Sequence, residues 1–498
     1  MITQSRANTS RVDTARRMAM LIGLYAVPIV GTVGPVLDPD LWFHIRTGQW
    51  ILQHRSFPWT DPFTGWGMGH SWIAYSWLFE ILIYGIHRAF GLVGLALFTV
   101  IFAILITGTL HVLVRSLRPP YFLEIAVTAL GILAMKPVLT PRPWLFTILF
   151  FTVELHILLA ARRSQNYRLL LWLPPLFVLW ANVHVQLAYG LFVIGLVAVE
   201  SLVNRLLGHA EMQSQEHLPL GRVLLTFGAC VTATLITPYY FHLYTVLFRY
   251  MSQPGPLTFV TEFLALQFRH PSNWAVLALA LGAAGVLGWR RRIYPFESLL
   301  FLTGIFLSFR SARDVWFVVI VAVVILAKLS GWRSANESFT ITKIRALFVT
   351  VGIVLMVIVT GRAYNISPAA LQAAVRDTYP DAAAAVVEER GLSGPLYNHY
   401  DWGSYLIWRL PQLRVSIDGR THFHGDDRIR RSLDTWQGNR DWASDPDLAA
   451  ARLVIAQVNK ALASLLRLDP RFELVYEDKV AVVFVARQPR QRKSEQLP

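Results

Sequence analysis

The sequence predicts an α-helical polytopic membrane protein of about 11–12 spans, followed by a small C-terminal α/β soluble domain. Three observations predict it. The 498 residues are 54% hydrophobic and only 15% charged, whereas a soluble domain carries about a quarter charged residues. Nearly all the long apolar runs lie between residues 18 and 360. After Arg362 the composition is that of ordinary soluble chain, which puts the main boundary there.

The chain opens with a basic segment, 1–17, containing Arg11, Arg16 and Arg17. An apolar stretch follows from Met18 to Leu37. Its end, Gly34-Pro35-Val36-Leu37-Asp38, is a poor cleavage site, so it reads as a retained first helix with a cytoplasmic N-terminus. A bilayer core takes about 20 apolar residues per helix. Ten further spans are expected at 92–114, 121–136, 143–161, 169–186, 187–207, 222–240, 273–289, 295–309, 314–332 and 345–361. Arg115 and Arg118, Arg162 and Arg163, Arg205, Arg290 to Arg292, and Arg333 through Arg345 fall on alternate loops, which marks those loops as cytoplasmic. The loop 38–71 and the tail 362–488 are then external, and 489–498 reads as a disordered end. An inside N-terminus and an outside tail require an odd number of crossings. Segment 72–90, with Glu80, His87 and Arg88, therefore reads as interfacial or re-entrant. Glu154 and His156, in mid-span, read as structural.

The net charge of +15 is spread in short clusters between apolar runs. It reads as orientation signal and lipid contact rather than nucleic-acid binding. The single cysteine, Cys230, excludes an internal disulfide.

Charges that persist near membrane depth tend to be functional or paired. The external loop begins Asp38-Pro39-Asp40-Leu41-Trp42-Phe43-His44-Ile45-Arg46. Its two carboxylates can coordinate a divalent cation (Mg or Mn), or one can serve as general base toward a hydroxyl. The alternative is that Asp40 caps the following helix. Leu41, Trp42, Ile45 and Leu52 share a face, so 41–54 reads as an amphipathic helix on the membrane. Trp59, Phe63 and Trp72 in the same loop read mainly as interfacial anchors. Lys136 and Arg142 flank an external turn, and Arg310 and Arg313 another, with Asp314 beside them. These cations, with His44 and Arg46, are candidates for binding a phosphate. Asn182 and His184 interrupt two apolar runs and must face the bundle or a wet cavity.

The tail alternates strand and helix signals, with strands expected at 395–398, 415–418, 452–457, 472–476 and 479–486. Its densest polar stretch holds Asp418, Arg420, His422 and His424. Acceptor binding or docking fits these better than a metal, since spacing supplies no third ligand.

A first helix followed by a long external loop that opens with Asp-x-Asp and an interfacial helix resembles the GT-C superfamily of membrane glycosyltransferases. The resemblance implies a polyprenyl-phosphate sugar as donor, an external catalytic face, and a base or metal ligand at Asp38 or Asp40. The chain also resembles a group of bacterial multi-pass proteins through Asp38-Pro39-Asp40-Leu41-Trp42-Phe43-His44 and Gly403-Ser404-Tyr405-Leu406 to Asp418-Gly419-Arg420. Neither a Trp-Trp-Asp motif nor a His-Pro-Pro-Leu-Tyr run is present. The acceptor, whether glycan, lipid or protein, therefore does not follow from the resemblance. The expectation is a bacterial inner-membrane transferase whose partners are a polyprenyl-phosphate sugar and membrane lipids. The rivals are a transporter or flippase of an anionic or lipid-linked substrate, and a scaffold whose tail binds a periplasmic partner.

Overall fold

The structure, a computed structural model, describes residues 2–207, 217–290, 294–329 and 342–487. The cations expected on cytoplasmic loops at Arg291, Arg292 and Arg333, and the end segment 489–498, lie outside the described residues. The chain forms two compact units. One comprises Met1–Val36, Tyr75–Phe79 and Ile86–Ala370; the other comprises Leu37–Ala74, Glu80–Gly85 and Leu371–Pro498. The first loop thus belongs to the same unit as the tail.

The first unit is helical. Trp77–Ser116, Tyr121–Val138, Trp144–Ser164, Pro271–Trp289 and Lys343–Ala363 are each long and apolar enough to cross a membrane. Tyr167–Val183, Leu187–Val203 and Leu220–Ala233 are shorter apolar helices. Each expected span is helical over most of its described residues, although the first helix runs Ile2–Thr32, starting well before the predicted boundary, and the helix in 222–240 ends at Ala233. The doubtful segment becomes helical at Trp77, and Gly91 breaks that helix from the one that follows with φ 57° and ψ −148°. This left-handed conformation is readily reached only by a residue without a Cβ. The Val315–Leu329 helix, apolar all round except for Lys328 in its last turn, is buried along nearly its whole length, as expected of such a run inside a bundle. Gly304 lets the neighbouring helix approach the Val318 backbone. Two ion pairs lie on these helices, Arg162 with Glu200 at 3.0 Å and Lys328 with Glu297 at 2.9 Å. Glu154 is fully buried against Gly190 and Trp180, with no hydrogen bond to either oxygen among the described residues.

The second unit carries a four-stranded sheet in the order β1-β2-β4-β3, where β1 is Leu396–Asn398, β2 Leu453–Gln457, β3 Phe472–Glu477 and β4 Ala481–Ala486. β1 and β2 are parallel, and the other pairs are antiparallel. The β3–β4 turn is closed by Asp478, whose Oδ1 accepts from the Val480 and Ala481 N–H groups at 2.7 Å each. Tyr397, Trp436, Val454, Leu462, Leu466 and Phe484 form the core beside the sheet. The expected strand at 415–418 is instead an extended segment with a single bridge, Thr64 to Val415, because its partner is the first loop and not the sheet.

Candidate functional site

In the second unit the two first-loop carboxylates have different surroundings. Asp38 Oδ1 accepts the Asp40 N–H at 3.0 Å, a local turn that starts the Leu41–His54 helix. Asp40 stands at the N-cap position but its side chain makes no cap hydrogen bond. Its carboxylate lies against Gly419 of the tail, where a Cβ would collide with it. The capping alternative for Asp40 is therefore not what the side chain does. His44 is buried and bonded through Nδ1 to Glu80 Oε1 at 3.1 Å. Arg46 donates to Gln49 Oε1 at 2.8 Å, and burial pulls its guanidinium pKa down.

The helix face expected on the membrane is covered. Trp42 packs edge-on to Tyr405 at 5.1 Å and Tyr379 at 5.7 Å, and tilted against Trp408 at 4.6 Å. Leu41, Ile45 and Ile51 are buried with it, while Leu52 is exposed. The apolar stripe is therefore spent on the tail helix Tyr400–Arg409.

Arg420 is the centre of a buried ion cluster. It donates from Nε to Asp418 Oδ1 at 2.8 Å, from Nη2 to Asp418 Oδ2 at 2.6 Å, and from Nη1 to Asp61 Oδ1 at 2.7 Å. Asp61 also accepts from the Thr64 hydroxyl and N–H. The guanidinium lies over Trp72 at 4.6 Å, Phe423 at 5.0 Å and Phe63 at 5.4 Å. Trp66 stacks on Phe423 at 4.8 Å. Phe63 and Trp72 are thus interior rings of this unit and not interfacial anchors; Trp59 and Met68 stay exposed. Burial works to raise the Asp418 pKa, but Arg420 and His424 outweigh it and hold the carboxylate well below its usual range. His424 Nε2 accepts the Asp418 N–H at 3.2 Å. Asp418, Arg420, His422 and His424 are all buried, so this motif fastens the loop and tail together.

In the helical unit, several predicted residues meet at one end of the bundle. Arg142 and Arg313 share the carboxylate of Glu262, at 3.1 Å and 3.5 Å. Both guanidiniums lie over the Trp144 ring, at 4.7 Å and 4.9 Å. Burial works against the Arg313 charge, but Glu262, Tyr250 and Asp314 outweigh it and raise the pKa. Gln186 Nε2 donates to Asp314 Oδ1 at 3.3 Å. His184, extended where two helices break, has Nδ1 2.9 Å from the Thr147 hydroxyl, which also accepts from Trp180 Nε1 at 3.0 Å. Asn182 accepts from Trp77 Nε1 at 2.8 Å. Arg310 lies over Phe306, one turn back on its own helix, and Lys136 is exposed beside Gly31.

No family model matches the chain, and no curated protein matches it. Among solved structures the chain is similar to ArnT from Cupriavidus metallidurans bound to undecaprenyl phosphate, with 13% identity and a TM-score of 0.48 over 94% of this chain and 97% of that one. The apo state of ArnT gives 16% identity and a TM-score of 0.46 over 96% and 98%.

Three residues of these clusters carried no readable signal in the sequence: Asp61, Glu262 and Trp144. Each is an ordinary residue of a loop or helix end until its distant partner is placed. Among the described residues no group of three His, Cys, Asp or Glu is arranged to hold a metal ion. Asp38 and Asp40 are the two first-loop carboxylates that would hold a divalent cation.

Proposed function

We propose that this protein is a membrane glycosyltransferase that moves a sugar from a polyprenyl-phosphate donor to an acceptor on the extracytoplasmic face. The observation that carries the reading is the pair of guanidiniums held over Trp144 with one shared carboxylate, Glu262. Two planar cations fixed by packing are well suited to a lipid phosphate, which arginine binds through two parallel hydrogen bonds. Asp40 acts as general base. The acceptor hydroxyl loses its proton to Asp40 and its oxygen bonds to the anomeric carbon. The bond from that carbon to the phosphate oxygen breaks, and polyprenyl phosphate leaves with the electron pair. A pair of guanidiniums such as Arg142 and Arg313 is suited to the charge that grows on a departing phosphate.

The test is release of polyprenyl phosphate from a panel of polyprenyl-phosphate sugars by the purified full chain. Asp40→Asn is expected to lower kcat by about a hundredfold or more. Arg142→Ala and Arg313→Ala are each expected to weaken kcat/KM by about tenfold to a hundredfold, as the loss of a charged hydrogen bond does. No release from any donor, or full turnover by Asp40→Asn, sinks the respective part of the reading.

A further inference from the structure

We propose that the Asp418-Gly419-Arg420 turn of the tail is the positioning device for the Asp40 carboxylate, so that Gly419 and Arg420 act through Asp40. This rests on Asp40 being the base. Two independent features carry it. A Cβ built at Gly419 has three nearest neighbours, and all three are carboxylate atoms of Asp40. The backbone at 419 is not left-handed, so conformation does not require glycine there; room for Asp40 does. The second feature is the fastening of the turn. Arg420 ties it to Asp61, and Asp61 in turn holds Thr64 of the loop that Asp38 and Asp40 begin. A carboxylate at an N-cap position normally settles by bonding to the helix N–H groups. Asp40 makes no such cap bond, and its carboxylate lies against the Gly419 backbone.

Gly419→Ala sets a methyl against the tip of a side chain and not against backbone. The protein should fold with its melting temperature unchanged and its carboxylate displaced. A readout free of turnover uses the full chain with Cys230→Ala and Asp40→Cys. Adding Gly419→Ala is expected to speed alkylation of the introduced thiol by iodoacetamide about tenfold, the factor that corresponds to about 1.4 kcal/mol of lost restraint. Equal rates overturn the proposal, whether or not the chain is a transferase. In the release assay Gly419→Ala is expected to lower kcat by about a hundredfold with little change in donor KM. It should add nothing on top of Asp40→Asn, since both act through one carboxylate. Losses that multiply in the double variant overturn the proposal. Full turnover by Asp40→Asn removes the base reading alone, and the alkylation rates still decide whether the turn holds residue 40.

Discussion

Arg420 illustrates how a single buried side chain can be costly to alter. Three of its nitrogens are bonded to two carboxylates that are themselves fully buried. Replacing Arg420 by Gln would leave Asp61 and Asp418 buried without their cation, a loss of about 3–5 kcal/mol. Urea unfolding of the purified chain would show it as a lower midpoint for the tail unit. His399 makes a second prediction. Its Nδ1 accepts the Asp401 N–H at 3.3 Å and so caps the Tyr400–Arg409 helix in its neutral form. Burial, opposed by Asp401, pushes its pKa down to about 4. A histidine whose pKa is lowered by folding binds a proton more readily when unfolded. Stability should therefore hold above about pH 6.5 and fall as pH drops from there toward 4. Melting temperatures between pH 7 and 4.5 should fall more steeply for wild type than for His399→Asn, which keeps an acceptor but does not titrate.

The Leu41–His54 helix has an amphipathic pattern, and an amphipathic pattern states only that one face is covered. The sequence leaves open whether lipid or protein covers it. Trp42 decides the matter, seated among Tyr379, Tyr405 and Trp408 with almost no exposure. Trp42→Ala should cost about 3–5 kcal/mol, as large aromatic truncations do, and should expose the first loop to proteolysis. Leu52→Ala, on the exposed side, should leave both the melting temperature and the cleavage pattern unchanged. The same lesson applies to the aromatic loop 59–72. Its rings surround a buried arginine, so their count indicated a packed surface without saying against what.

Across the whole chain, apolar helices alternate with basic loops, and this alternation sets an expected topology. The tail is expected on the extracytoplasmic side. Leu468 is 86% exposed on that unit, and Leu468→Cys in a Cys230→Ala background gives a single reporter thiol. A membrane-impermeant maleimide should label it in intact cells without permeabilisation. Labelling only after lysis would reverse the assigned orientation and place the proposed chemistry on the cytoplasmic face.

The sequence by itself determined the helical membrane architecture and the α/β tail; that the first loop shares the tail's unit, which begins again at Leu371, only the tertiary structure decided. Apolar length and two- or 3.6-residue periodicity are local properties, and each can be read within one window. It also picked out Asp40, Arg142, His184 and Arg313, because polar groups in or beside an apolar chain stand out against their surroundings, and Asp418 and Arg420, because they lie in the densest polar stretch of the tail. Which groups these charges meet was not legible. Asp61 pairs with Arg420 across most of the chain, Glu262 bridges Arg142 and Arg313, and Gly419 receives Asp40. Such pairings depend on how distant segments return to one another, and a buried charge fixes only that it needs a partner, not where along the chain that partner lies.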